Sequence, residues 1–314
     1  MDFKAKSKSF FTILKKTYQE WNANDPFRQS AVIAYYSIFS LPALLLIIIK
    51  VVGQVFSEKK VRQEITSQID SAVSQEAAEQ VETMITNASQ QGDSTIAIII
   101  GIATLLFGAT GVFVQLQRSL NLAWEVEAKP EAGILKIALD RVLSLGFVLG
   151  IGFLLIVSLA ITAGLQALST VIQRNLPEYL LYVFHIAEIV VSLGVITLLF
   201  AIIYKFLPDA KVEWRSVWVG ALVTAILFVS GKEGLGFYFG QTDPGSVFGA
   251  AGSLILLLLW VNYSALIFLF GAEFTQVFAR RYGHKIEPSD HARWSAERRL
   301  AHYKEEYGVE KENA

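Results

Sequence analysis

Several polar side chains stand inside long apolar runs, where ionisable groups are costly and mark ion or substrate paths. His185 and Glu188 lie three residues apart in the run from 180 to 207, so a helix places them on one face. Lys232 and Glu233 adjoin each other in a second run and are bracketed by Gly231, Gly234 and Gly236. At 1.5 Å per residue, Glu188 falls about 12 Å inside its run. A carboxylate at that depth needs a partner or water, and His185 or Lys232 would serve. The glycines weaken the helix around Lys232, and irregular backbone inside a membrane is tolerated only against protein or a hydrated cavity. The expectation is an outward-facing cavity lined by Glu188, Lys232 and Glu233, with His185, Tyr36 and Asn262 as further candidates. A satisfied pair between helices is an equally weighted alternative for Glu188.

A second polar group belongs to the opposite depth. Gln117, Arg118 and Asn121 follow one apolar run, and Glu273 closes another. The two ends share a level, so the pattern predicts an Arg118 to Glu273 contact tying two helices together, structural in character.

These side chains must be positioned by membrane-spanning helices. The stretch from Val212 to Gln276 contains two apolar runs, each longer than the roughly 20 residues a span requires, separated by Asp243, Pro244 and Gly245. The Gly249-Ala250-Ala251-Gly252-Ser253 cluster thins one helix face for close packing. Further spans are read at about 31–52, 95–116, 142–165 and 180–207, which makes six. Pro42 should kink the first, and Lys50 near its end should reach for headgroups.

Residues 1–29 form an N-terminal unit. Phe3, Phe10, Phe11, Leu14, Tyr18 and Trp21 recur at helical spacing, which suits a helix lying in the headgroup layer or packed on its own protein. Asn24-Asp25-Pro26 breaks that helix, and Pro26 can start the next. The membrane domain covers 30–279 and contains an insertion at 57–91. There Val61, Ile65, Ile69, Val73, Ala77, Val81, Met84 and Ala88 mark one or two amphipathic helices outside the bilayer. This insertion either caps the external mouth or meets a second subunit, or is a hairpin packed only on itself. The charged tail, 280–314, reads as a helix followed by a disordered end. The fold class is therefore all-α, a polytopic membrane protein with an interfacial N-terminal helix and an extracytoplasmic helical insertion.

Composition agrees. Hydrophobic residues make up 53% and charged residues 18%, more apolar and less charged than the soluble average. A net charge of -1 offers no basic bias toward nucleic acid. No cysteine is present, which excludes disulfides and thiolate chemistry. The four histidines form no HxH or HExxH pairing, so a metal-dependent nuclease centre is not supported and no metal, cofactor or enzymatic activity is expected. Lysine and arginine crowd the N-terminal segment, the loops near 118–141 and 205–215, and the tail. Only Lys59, Lys60, Arg62 and Arg174 stand on the alternate side. That bias places both termini in the cytoplasm.

A set of motifs carries a resemblance over about 27–281: Ala34-Tyr35-Tyr36-Ser37-Ile38-Phe39-Ser40-Leu41-Pro42, Leu116-Gln117-Arg118-Ser119-Leu120-Asn121-Leu122-Ala123-Trp124, Leu207-Pro208, Phe248-Gly249-Ala250-Ala251-Gly252, Trp260-Val261-Asn262-Tyr263-Ser264 and Gly271-Ala272-Glu273. In this order they resemble the YihY or virulence factor BrkB family, formerly labelled ribonuclease BN-like. Val219 stands where that family often has proline, and Asn262 where an aromatic is usual. The resemblance implies a multi-pass inner-membrane protein connected with envelope integrity and brings no established catalytic residue. The function expected is transport of an amphipathic or anionic envelope molecule such as a lipid or lipid-linked precursor. The alternative is a non-transporting scaffold that assembles with copies of itself or with envelope proteins. Membrane lipids are expected partners, and nucleic acid is not.

Overall fold

The computed structural model describes residues 3–89, 111–129, 179–242, 248, 251–283, 285–296 and 298–300. Helix α1 (Phe3–Ala23) ends at Asp25, whose φ of 49° is left-handed, and Pro26 opens α2 (Pro26–Phe56) as its first residue. A proline there forgoes an amide that would be unbonded in any case. Pro42 bends α2, and the halves Pro26–Pro42 and Leu44–Gln54 meet at 46°. The sequence predicts this kink, because proline removes a hydrogen bond from the helical ladder.

A sharp corner follows. Ser57 has φ 74°, and Gly53 faces the first residue of α3 so closely that a Cβ would lie 2.7 Å from Glu58 Cγ. Lys50 spans the corner to Glu58 at 2.8 Å, so a carboxylate holds the lysine expected to reach for headgroups. Helices α3 (Glu58–Ala72) and α4 (Gln75–Ser89) then form a hairpin. Ser74 Oγ accepts the Ala77 amide at 3.2 Å, satisfying one of the free donors at the start of α4. The predicted apolar stripe does not pack on itself alone. Val61, Val73, Ala77, Val81 and Ile85 join Ile48, Ile49 and Val52 of α2, together with Phe239, Leu256 and Leu257 from two later helices.

Helix α5 is described over 111–123, and Gly111 lets the Tyr36 ring of α2 lie against its backbone. Helices α6 (Tyr179–Phe206), α7 (Trp214–Thr242) and α8 (Gly252–Arg281) are the remaining long helices among the described residues, with α6 on α7, α7 on α8, and α8 on both α1 and α2. Among the described residues three helices are long and apolar enough to cross a membrane, at Ile189–Phe206, Trp214–Phe239 and Gly252–Arg281, and bent α2 makes a fourth if its halves are one span. The runs expected at 142–165 and over most of 95–116 lie outside the described residues, as do Gly249 and Ala250 of the small-residue cluster.

Close packing of α7 on α8 comes from other glycines. A Cβ on Gly220 would strike Thr275, and one on Gly271 would strike Thr224. Each threonine in turn bonds back to its own helix four residues earlier: Thr224 Oγ1 donates to the Gly220 carbonyl at 2.7 Å, and Thr275 Oγ1 to the Gly271 carbonyl at 2.7 Å. The same glycine and threonine spacing is thus used reciprocally on two helices. Tyr204 of α6 sits at this crossing, fully buried, and donates to the Phe268 carbonyl at 2.7 Å. A buried tyrosine hydroxyl needs such a partner.

One end of the bundle is closed by short strands, which the all-α expectation does not include. After Arg281 the chain forms β3 (Ile286–Pro288) and β4 (Ala292–Trp294). The first pairs antiparallel with β2 (Ala210–Val212), which precedes α7, and the second with β1 (Val126–Ala128), which follows α5. The tail expected as a helix and a disordered end therefore begins as a clasp across two loops. Strands of three residues offer no alternation long enough to recognise in a sequence.

Candidate functional site

The corner between α1 and α2 aims Asn24 at α8. Its side-chain amide donates to Glu273 Oε1 at 2.6 Å, while Gln29 Nε2 donates to the Asn24 carbonyl and fixes the corner. Glu273 is 3% exposed, and its described hydrogen-bond partner is this neutral amide. Gln276 lies three residues on, on the same helix face, and is 1% exposed. On α1, Ile13, Thr17 and Trp21 follow helical spacing and present one face to α8, and Asn24 continues it just beyond the helix end. Thr17 Oγ1, Trp21 Nε1 and Gln276 Oε1 are buried without a hydrogen-bond partner among the described residues. Further along the junction of α2 and α8, Asn262 Nδ2 donates to Ser30 Oγ at 3.0 Å, and Ser30 Oγ donates to the Phe27 carbonyl at 3.0 Å. Asn262 and Glu273 are eleven residues apart, roughly 16 Å along the helix. Together these groups, which include both donors and acceptors, form a polar seam inside an apolar bundle.

A second polar centre lies in the clasp. Asp209, 4% exposed, accepts from Asn121 Nδ2 at 2.8 Å and from Gln117 Nε2 at 3.3 Å, and its carboxylate meets His291 Nε2 at 2.9 Å. Its own amide donates to Asn121 Oδ1 at 2.8 Å, and its carbonyl accepts the Ser289 amide. One residue thus ties α5, the α6–α7 loop and the tail. Around it, Glu125 holds Arg280 and Arg298, and Glu127 holds Arg293 at 2.8 Å and Arg299 at 3.0 Å. Arg298 also stacks 3.6 Å over the Trp294 ring. Lys211 pairs with Asp290 at 2.6 Å, and that hydrogen bond holds the lysine above and the aspartate below their ordinary values.

The residues singled out from the sequence are only partly brought together. Glu273 is not joined to Arg118, which is exposed; its partner is Asn24. Equal depth was sufficient to predict a level but not a rotation about the helix axis. Gln117 and Asn121 do form a tie, to Asp209. The backbone of α7 runs unbroken past Lys232 and Glu233, so the predicted interruption does not occur. Lys232 is half-buried and Glu233 exposed. Gly231 receives the Tyr263 hydroxyl of α8, whereas Gly234 and Gly236 face open space. His185 and Glu188 lie on the helical backbone of α6, but their side chains lie outside the described residues. Tyr36 packs on Gly111, and Asn262 belongs to the seam. Asn24, Ser30, Asp209 and His291 carry polar contacts that sequence reading passed over. Asn24 and Asp209 stand beside Pro26 and Pro208 and read as helix punctuation.

Comparison with known proteins agrees with this membrane architecture. A family model described as Virulence factor BrkB matches residues 17–295. The chain is 28% identical over 258 residues to a UPF0761 membrane protein of Alteromonas mediterranea, covering 81% of this chain and 83% of the relative. It is 26% identical over 279 residues to one of Saccharophagus degradans, covering 88% and 61%. A UPF0761 membrane protein of Verminephrobacter eiseniae is 30% identical over 178 residues, covering 56% of this chain and 40% of the relative. The chain thus spans less than half the length of that protein. No solved structure matches.

Proposed function

The chain belongs to the virulence factor BrkB family of membrane proteins, and from that premise we propose that it is a transporter or flippase-like protein for an amphipathic or anionic envelope molecule. It sits in the cell inner membrane with six spans and both termini in the cytoplasm, a topology supported by the lysine and arginine bias. The clasp and α1 then face the cytoplasm, and the α3–α4 hairpin covers the outer end.

The observation that carries the transport reading is Glu273. A carboxyl buried in a candidate span with a neutral amide as partner is expensive for a bundle that only needs to be stable, and such residues line ion and substrate paths. Asn262 and Ser30 extend the polarity along the same helix junction.

Proteoliposomes containing the full chain and fluorescent phosphatidylglycerol provide the test. Glu273→Gln preserves shape and can still accept from Asn24, so it should fold normally yet lower flux at least about tenfold, equivalent to about 1.4 kcal/mol on the barrier. Flux equal to wild type would remove Glu273 from the mechanism. Wild-type flux no higher than in protein-free vesicles would favour the scaffold reading, which the close Gly220 and Gly271 packing supports.

A further inference from the structure

A cavity of about 480 Å³ opens where α6 ends and α7 begins, lined by Lys205, Lys211, Arg215 and Lys285 against Glu213 and Glu287, with Trp214 as its aromatic wall. We propose that this cavity binds the phosphate-bearing headgroup of an anionic membrane lipid. The proposal does not depend on whether the chain moves a substrate.

Position comes first. Lys205, Trp214 and Arg215 lie at the ends of two candidate spans, Ile189–Phe206 and Trp214–Phe239, so the cavity sits at headgroup level. Phe206, Trp214 and Trp218 are exposed beside it and contact one another in sequence, edge-to-face and then stacked. Such aromatics mark the membrane interface, with the ring in the acyl boundary and the polar edge toward water.

Charge comes second. Lys205 is engaged by the Val212 carbonyl and lies 5.5 Å from the Trp214 ring centroid, which leaves it fixed at the wall. Lys211 is taken by Asp290. Arg215 and the Lys285 side chain are exposed and have no ion-pair partner among the described residues. Glu213 accepts the Lys285 amide at 3.1 Å, and Glu287 stands opposite Lys211 across the β2–β3 pair. Both carboxylates therefore have basic or donor groups beside them, and the cavity keeps an excess of positive charge. A guanidinium and an ammonium facing one volume match a phosphodiester, and a lipid is the source that also uses the exposed aromatic rim.

The full chain is purified in detergent, incubated with phosphatidylglycerol or phosphatidylcholine of the same acyl chains, and examined by native mass spectrometry for retained lipid. Phosphatidylglycerol should be retained preferentially. At roughly fivefold per cation, the double change Arg215→Ala with Lys285→Ala should weaken that retention about 25-fold, while Arg215→Lys with Lys285→Arg keeps most of it. Lys59→Ala with Lys60→Ala, the same charge change on exposed α3, should leave it unaltered. Wild-type retention by the double alanine variant overturns the site. An equal loss in the α3 control overturns it too, since net charge alone would then explain the effect. Displacement of the lipid by millimolar inorganic phosphate would assign the cavity to free phosphate and overturn the lipid proposal.

Discussion

Asp209→Ala is expected to loosen the junction of α5, the α6–α7 loop and the tail. The carboxylate is 4% exposed and serves Asn121 at 2.8 Å, His291 at 2.9 Å and Gln117 at 3.3 Å. Hydrogen bonds to a charged group contribute about 1.5–3 kcal/mol each, and removing one partner leaves the other group unsatisfied. The Gln117 bond is long, and the His291 side chain is half exposed, so both are discounted. The Asn121 bond dominates, and the total loss is about 2–4 kcal/mol. At roughly 2–4 °C per kcal/mol, the melting temperature of the detergent-purified chain should fall by roughly 4–16 °C. The sharper measurement is a double-mutant cycle with Asn121→Ala, where shared contacts predict a coupling of about 1.5–3 kcal/mol. If the two changes add within about 0.5 kcal/mol, or if Asp209→Ala melts with the wild type, the hub does not hold the clasp.

Gly271→Ala places a methyl against Thr224 and within 2.6 Å of the Tyr204 hydroxyl, so it should cost about 1–3 kcal/mol of stability. Trimming the obstacle with Thr224→Ala should recover part of that loss; a single change that melts like wild type would refute the contact. The Lys211 pair predicts a pH signature in Asp290→Asn. The depressed aspartate contributes stability that is complete above its ordinary value of 3.8 and is lost as pH falls through the lower folded value. The raised lysine contributes stability that is complete below its ordinary 10.5 and is lost as pH rises through the higher folded value. Wild type and variant should thus differ between those limits, converge beyond them, and differ less in high salt because the pair is exposed; melting curves against pH decide it.

The bundle was legible where one residue type forces one outcome. Pro26 and Pro42 mark a helix start and a bend, and the stripe from Val61 to Ile85 finds an apolar partner. Rotation about a helix axis is a tertiary property, so Arg118 and Glu273 were matched by depth and separated by the structure. Glycine propensity suggested a break near Lys232, but a span in apolar surroundings keeps its backbone bonds, and only Gly231 is needed, for Tyr263. The clasp was invisible because its strands are three residues long and its partners are distant in sequence.

That distance sets a timetable for biosynthesis. Glu127 and Arg293 are 166 residues apart, and at ribosomal speeds of about 5–20 residues per second the arginine emerges roughly 10–30 s after the glutamate. During that interval Val126–Ala128 has no strand beside it, and Asp209 waits for His291. The tail strands follow α8 in the chain, so the clasp can close only after that helix has been made. A chain truncated before Ile286 would leave both Val126–Ala128 and Ala210–Val212 without their partner strands.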